Sequence, residues 1–192
     1  MQSLLKQIKA CTRCEKELAL GPRPIVNAHS ENKIIIIGQA PGSVVHKSGI
    51  PWDDQSGKNL RDWMGIDKAT FYNEEKIALM PMGFCYPGMG KSGDLPPIKR
   101  CAPLWHPPIL SQLKKLSITL LIGTYAQEYY LPETKKMTLT ARVKNFESYL
   151  PDYFVLPHPS PRNNIWQKKH PWFVQEVLPV LKKRIHRILA EP

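Results

Sequence analysis

Residues 33–42, KIIIIGQAPG, constrain the fold of this chain more than any other segment. Four consecutive isoleucines are typical of a strand buried on both faces, because β-branched side chains crowd a helical turn but fit a pleated sheet. The two glycines and the proline that follow predict a tight loop after this strand. Ligands bind at the carboxyl ends of strands in open α/β sheets, so the loop is a candidate active-site floor. A simple strand-to-helix connection is the alternative.

Strand and helix patterns alternate along the rest of the chain. Apolar runs predict three further strands, at residues 77–82, 118–122 and 153–156. Helical patterns occur at residues 3–9, 56–64, 102–116, 124–130 and 171–189. This alternation predicts an α/β fold with three layers, α/β/α, around a central and mainly parallel sheet of four strands. The length fits a single domain over residues 1–192.

The charge of the chain favours an acidic polymer as its partner. Lys and Arg number 27 against 16 Asp and Glu, and this net charge of +11 favours nucleic acid, with solubility alone as the other explanation. No apolar run reaches membrane-spanning length, and the first ten residues lack the apolar core of a signal peptide. We therefore expect a cytoplasmic protein that has no membrane partner.

Four cysteines form a candidate metal-binding set. Cys11 and Cys14 make a C-x-x-C pair, Cys85 lies in a loop rich in proline and glycine, and Cys101 opens a predicted helix. Disulfides are rare in a reducing compartment, so ligation of a metal is the better interpretation of this paired spacing. Four thiolates suit zinc or an iron–sulfur cluster, and the spacing does not choose between them.

An aromatic residue and two carboxylates follow the first loop. Trp52 sits on a constrained turn, SGIPW, where it is either a platform for stacking a base or a core residue that covers the sheet edge. Asp53 and Asp54 come next. Each is a candidate for activating water, and each also suits the amino terminus of the following helix as a cap.

A second proline-bearing loop, HPSPRN, occupies residues 158–163 after the fourth predicted strand. If the first and fourth strands are neighbours, the two loops face each other across one crevice. Together they resemble the uracil-DNA glycosylase superfamily, which is marked by a G-Q/E-x-P motif and an H-P-S-P motif. The matching residues are Gly38, Gln39, Ala40, Pro41 and Gly42 in the first motif, and His158, Pro159, Ser160, Pro161, Arg162 and Asn163 in the second.

The cysteine arrangement resembles the iron–sulfur, family 4 branch of that superfamily, and HPSPRN is also similar to the single-strand-selective monofunctional glycosylases. The resemblance implies a four-iron, four-sulfur (4Fe–4S) cluster held by Cys11, Cys14, Cys85 and Cys101. It also implies a monomeric, monofunctional enzyme that removes uracil or another deaminated base from DNA. A non-catalytic protein that binds DNA lesions and a protein that processes free nucleosides are the alternatives.

The resemblance assigns roles to the residues of both loops. His158 and the backbone around Gln39 would stabilise the departing base, with Asp53 or Asp54 as the carboxylate that activates water. The remaining candidates would bind substrate: Trp52 by stacking on the base, Ser160 on a phosphate, Arg162 and Asn163 at the DNA surface, and Gly38, Ala40, Pro41 and Gly42 as the pocket floor.

The chain departs from the family pattern at two places. Ala40 stands where the principal branch carries its water-activating aspartate, and Gln39 stands where family 4 has glutamate. Family 4 also carries an asparagine that reads the uracil edge on the strand before the third cysteine, whereas residues 79–82 here are LMPM. The excised base is therefore open between uracil, hypoxanthine and xanthine.

Overall fold

The computed structural model describes residues 1–191, and a parallel sheet forms its centre. The strands are β1 (Ile34–Ile37), β2 (Ile77–Leu79), β3 (Met89–Gly90), β4 (Gly93–Asp94), β5 (Ile118–Ile122) and β6 (Tyr153–Leu156). Four of them form the sheet in the order β2-β1-β5-β6, and every neighbouring pair is parallel. The other two, β3 and β4, form an antiparallel hairpin. The predicted parallel sheet of four strands is confirmed.

Helices cover this sheet on both faces. They are α1 (Gln2–Lys9), α2 (Ser43–Ser48), α3 (Gln55–Met64), α4 (Lys68–Phe71), α5 (Cys101–Leu110), α6 (Thr124–Tyr130), α7 (Leu139–Lys144), α8 (Asn164–Lys169) and α9 (Leu178–Ala190). Every residue of β1, β2 and β5 is buried, which requires a layer on each side of the sheet. The predicted three-layer α/β/α fold is therefore confirmed. No helix within residues 1–191 combines the length and the apolar character needed to cross a bilayer.

The core is densest around β1, whose four isoleucines are each 0% exposed. One layer is closed by α9, which turns Leu181, Ile185 and Ile188 inward at helical spacing and packs against α3. Phe173 joins the same contact, because its ring meets Trp63 of α3 edge to face at 5.0 Å.

Three predicted elements end or begin elsewhere, and prolines explain two of them. The strand predicted over residues 77–82 ends at Leu79, since Pro81 has no N–H for a ladder. The sequence predicts a continuous last helix from residue 171, but a π-helical turn, Phe173–Val177, precedes α9. Pro179 lies in the first turn of α9 and removes one regular helical bond there. The helix predicted over residues 102–116 ends at Leu110 instead.

Candidate active site

A cavity of about 460 Å³ opens at the carboxyl edge of the sheet. The strand order reverses direction between β1 and β5, and ligands bind at such a switch point in open α/β sheets. The condition under which the two loops were expected to face each other is not met, because β5 lies between β1 and β6. The two loops still share the cavity, because residues of both line it. His158 lies next to Gly123 at the end of β5, where a Cβ added to the glycine would lie 3.7 Å from the His158 Cβ.

All five residues of the first loop, Gly38 to Gly42, line the cavity. Gly38 has to be a glycine, because a Cβ there would lie 2.7 Å from Cζ2 of Trp52. The loop is also tied to the segment that follows β2, since Gly38 and Gln39 accept backbone hydrogen bonds from Met82 and Gly83 at 2.8 and 3.0 Å. These contacts hold the floor of the cavity rigidly under the indole.

Trp52 lines the cavity beside His158. The two rings are stacked, with centroids 5.8 Å apart and planes 28° apart. The backbone of Trp52 has φ of 59°, a left-handed conformation that tryptophan rarely adopts. It is held by close packing on Gly57, where an added Cβ would lie 1.8 Å from the Trp52 carbonyl oxygen. The structure therefore places Trp52 at the cavity wall, as the stacking interpretation requires.

Gly57→Ala is expected to destabilise the protein by about 2–3 kcal/mol, because a backbone contact of this kind is relieved only by moving the chain. Helix propensity alone would favour alanine at this position by about 1 kcal/mol, so the contact outweighs it. Urea unfolding measures the change, with Lys58→Ala, an exposed position one residue further along α3, as the control. Equal stability of Gly57→Ala and the wild type would contradict this packing.

The second loop presents His158 and braces it from behind. The Asn163 Nδ2 group donates to the His158 carbonyl oxygen at 2.5 Å, and Asn59 Nδ2 of α3 donates to the Pro159 carbonyl oxygen at 2.8 Å. Burial lowers the pKa of His158 below its ordinary value, and the charges of Asp54 and Asp94 oppose this effect. The imidazole is therefore neutral near pH 7 and keeps one N–H to donate.

The remaining predicted residues divide between cavity wall and support. Ser160 and Arg162 line the cavity, whereas Asn163 does not and serves instead as the brace described above. Asp54 lines it too, and its Oδ1 caps α3 by accepting from the Gly57 N–H at 2.8 Å. Asp53 lies outside the cavity wall. Asp54 therefore both caps α3 and lines the cavity, whereas Asp53 is not among the residues that line it.

One wall of the cavity was absent from the sequence prediction. The β3–β4 hairpin contributes Met89, Ser92, Gly93 and Asp94. Arg162 Nη1 donates to the Ser92 carbonyl oxygen at 3.2 Å, which joins the hairpin to the second loop. The only sequence signal is the turn-forming segment between Gly90 and Asp94, because strands of two residues carry no detectable periodicity.

Behind the cavity, His106 supports the backbone of Pro81, which lines the wall. Its Nε2 lies 3.0 Å from the Pro81 carbonyl oxygen, and its Nδ1 lies 2.7 Å from the Tyr130 hydroxyl oxygen. Burial lowers the pKa of His106 to about 4, against the opposing effect of the Pro81 hydrogen bond. A neutral ring satisfies both partners, since Nε2–H donates to Pro81 and Nδ1 accepts from Tyr130.

This burial makes the free energy of unfolding depend on pH. As the pH is lowered, His106 in the unfolded chain takes up a proton near the ordinary histidine pKa of 6.5, whereas in the folded protein it does so only at about 4. The unfolded state is therefore favoured between these two pH values, and the stability present above pH 6.5 is lost as the pH falls towards 4. The loss amounts to roughly 3 kcal/mol at most. In His106→Phe we expect a lower stability overall but a shallower dependence on pH, measured by urea unfolding between pH 7 and 4. An unchanged dependence would show that this histidine does not cause it.

The four cysteines meet at a second cavity, which Phe84 and Trp105 also line. All four are free thiols. Cys101 Sγ accepts a hydrogen bond from the Phe84 N–H at 3.4 Å, and burial raises the pKa of the Cys101 thiol to about 12. Burial also raises the pKa of Cys14 and of Cys85. Within residues 1–191, no group of three His, Cys, Asp or Glu residues is arranged to hold a metal ion.

A family model described as the Uracil DNA glycosylase superfamily matches residues 26–182. The matched region contains both loops, Trp52, the hairpin and the last two cysteines. It covers most of the chain, and it includes all four strands of the sheet. The fold and the two motif loops at its carboxyl edge agree with this match. The chain belongs to the uracil DNA glycosylase superfamily.

Proposed function

We propose that this protein is a monofunctional DNA glycosylase that hydrolyses the N-glycosidic bond of uracil or another deaminated base. The observation that carries the proposal is the stacked pair of Trp52 and His158 inside a cavity of about 460 Å³ between the two motif loops. A base must leave the duplex stack before a protein can act on its glycosidic bond. A cavity of this size with an aromatic wall accepts such a base.

His158 supplies the main stabilisation of the departing base. Cleavage of the glycosidic bond sends its electron pair to the base, which leaves as an anion, and leaves positive charge on the sugar. The neutral imidazole N–H of His158 donates to this anion, in a site where burial strengthens the interaction. Backbone N–H groups of the first loop add to it, and Trp52 stacks on the base.

The base edge is read by Gln39 in this proposal. Among the described residues that line the cavity, Gln39 carries the only side-chain amide. An amide group offers both a donor and acceptor lone pairs, which is what the edge of a deaminated base requires. The segment where family 4 carries its asparagine presents Pro81 to the cavity, and that proline offers no side-chain hydrogen bond.

Contacts to phosphate explain the basic charge of the chain. The net charge is +11, and Ser160 and the exposed Arg162 lie at the cavity wall where the DNA strand would pass. DNA affinity is therefore expected to fall steeply with salt concentration, because each phosphate contact releases counterions. A pocket for free nucleosides would show no such dependence.

We also propose that Cys11, Cys14, Cys85 and Cys101 hold a 4Fe–4S cluster. Support comes from their chemistry and position, since four free thiols line one cavity whose other walls include apolar side chains. Thiolate ligands of this number suit such a cluster. Its contribution would be structural, because it would tie the segment after α1 to the loop before α5 and would lie outside the active cavity.

Base excision on labelled oligonucleotides tests the function. Single- and double-stranded substrates carry uracil, hypoxanthine or xanthine, and alkali cleaves any abasic product. Product from one of these lesions supports the proposal and names the base. If the iron-loaded protein binds these strands but forms no product, the enzyme is excluded and the non-catalytic alternative gains support. Ala40 is the observation that favours that alternative, since it brings no carboxylate to the first loop.

A further inference from the structure

The cavity needs a carboxylate that the first loop does not supply. Ala40 is apolar, and Asp53 lies outside the cavity wall. Asp54 lines the wall, but its Oδ1 caps the amino terminus of α3, and taking up a proton there would weaken this cap. Hydrolysis of a glycosidic bond still requires a group that holds the attacking water and accepts its proton. We propose that Asp94 of the β3–β4 hairpin is this group. The inference rests on the function proposed above and assigns one residue within it.

Asp94 stands against the first loop at Gly42. A Cβ added to Gly42, two residues beyond Ala40, would lie 3.3 Å from the Asp94 Oδ2 atom. Both Asp94 and Ala40 line the cavity. A carboxylate from the hairpin therefore reaches the first loop, two residues beyond Ala40, inside the same cavity.

The carboxylate is held in place at its other oxygen. The Tyr86 hydroxyl donates to Asp94 Oδ1 at 3.2 Å, and Tyr86 itself is only 5% exposed. This bond leaves Oδ2 for a water molecule. Because Asp94 is itself exposed at the cavity wall, solvent reaches it without an opening motion.

The hairpin that carries Asp94 is fixed at three points. Asp94 pairs with Met89 across the hairpin, and the Leu95 N–H donates to the Gly88 carbonyl oxygen at 2.9 Å. Arg162 then joins the hairpin to the second loop through the Ser92 carbonyl oxygen. The hairpin is thus held together internally and joined to the second motif loop, which limits the positions that Asp94 can take, as a water-holding group requires.

Asp94 and His158 line the same cavity. The charge of Asp94 acts on the imidazole, together with that of Asp54, in the direction that raises the pKa of His158. In the proposed step the glycosidic C–N bond breaks and its electron pair leaves with the base towards His158. The oxygen of the water held by Asp94 bonds to the sugar carbon, and its proton passes to the carboxylate. Solvent later takes this proton and protonates the base anion.

Asp94→Asn is the decisive variant, because asparagine keeps the shape and loses the charge. We expect kcat for base excision to fall about 100-fold with little change in DNA affinity. Asp152→Asn is the matched control, since that exposed aspartate directly precedes β6 and lies at the opposite edge of the sheet. Adding Ala40→Asp to Asp94→Asn should recover at least about tenfold of the lost rate, which repair of a folding defect would not do.

The outcomes separate this inference from the function on which it rests. If the wild type excises no base, the proposed function fails, and with it the reaction in which Asp94 would activate water. If the wild type is active and Asp94→Asn keeps its rate within about threefold, the inference alone is overturned. A large loss in Asp94→Asn accompanied by a lower unfolding temperature and no recovery with Ala40→Asp would also overturn it, because the hairpin would then be merely structural.

Discussion

Replacing His158 with alanine is expected to lower the rate of base excision about a thousand-fold while DNA binding is kept. The side chain lies in the cavity, stacked on Trp52, and the braces on its loop contact backbone carbonyl oxygens. Alanine keeps those carbonyls, so the loop stays in place and only the N–H that would donate to the departing base in the proposed function is lost. The effect should fall on kcat, because the charge develops in the transition state.

Single-turnover excision and DNA titration measure the two quantities separately. His29→Ala is the matched control, since His29 precedes β1 and lies at the edge of the sheet away from the cavity.

The rate of base excision by the wild type should fall only at pH values below the ordinary histidine pKa. Burial lowers the pKa of His158, so the imidazole is protonated and the neutral form is lost only at such pH values. A variant His158→Ala with more than about a tenth of the wild-type rate would exclude this role.

Cys85→Ala is expected to abolish the visible absorption of an iron–sulfur cluster and to lower the free energy of unfolding by at least about 3 kcal/mol. Cys85 lines the second cavity together with the early C-x-x-C pair and Cys101. In the proposed site, loss of one thiolate would leave three ligands, and the segment after α1 would lose its tie through the cluster to the loop that leads to the hairpin. The measurements are absorption, iron and sulfide content, and urea unfolding.

Lys91→Ala serves as the control for this second prediction, because it alters an exposed residue of the β3–β4 hairpin and leaves the thiols intact. It should keep the absorption and the iron content of the wild type. Zinc without iron in the wild-type protein would contradict the cluster while keeping the four-cysteine site. Full absorption in Cys85→Ala would exclude Cys85 as a ligand.

Local pattern predicted the elements whose sequences are continuous and clearly bounded. The predicted bounds of β5, α6 and β6 match the structure at both ends. Each of these buried strands is an apolar run that ends at a glycine or a proline, so the residues next to the strand are enough to predict where it begins and ends. The longer predictions failed where proline removed a hydrogen bond, at β2 and before α9.

The candidate site also contains residues that local sequence predicts and residues that it does not. Both motif loops follow directly from a strand end, so their residues could be named from local sequence, and ten of the predicted site residues line the cavity. Asn163 and Asp53 do not, because a side chain one position along a tight turn points elsewhere. Asp94 lies far along the chain from either motif, in a hairpin too short to leave a pattern.

By itself, the sequence determined the buried strands, the basic charge, the two loops and the four thiols, because each depends on residue type and near neighbours. Tertiary structure decided the strand order, with β5 between the two motif strands, and it decided that Asp54 and Asp94 are the carboxylates that line the cavity. Those outcomes depend on contacts between segments distant in the chain, such as Arg162 with Ser92, and on the packing that brings Tyr86 against Asp94. Such contacts form only once the core has packed, and no local pattern encodes them.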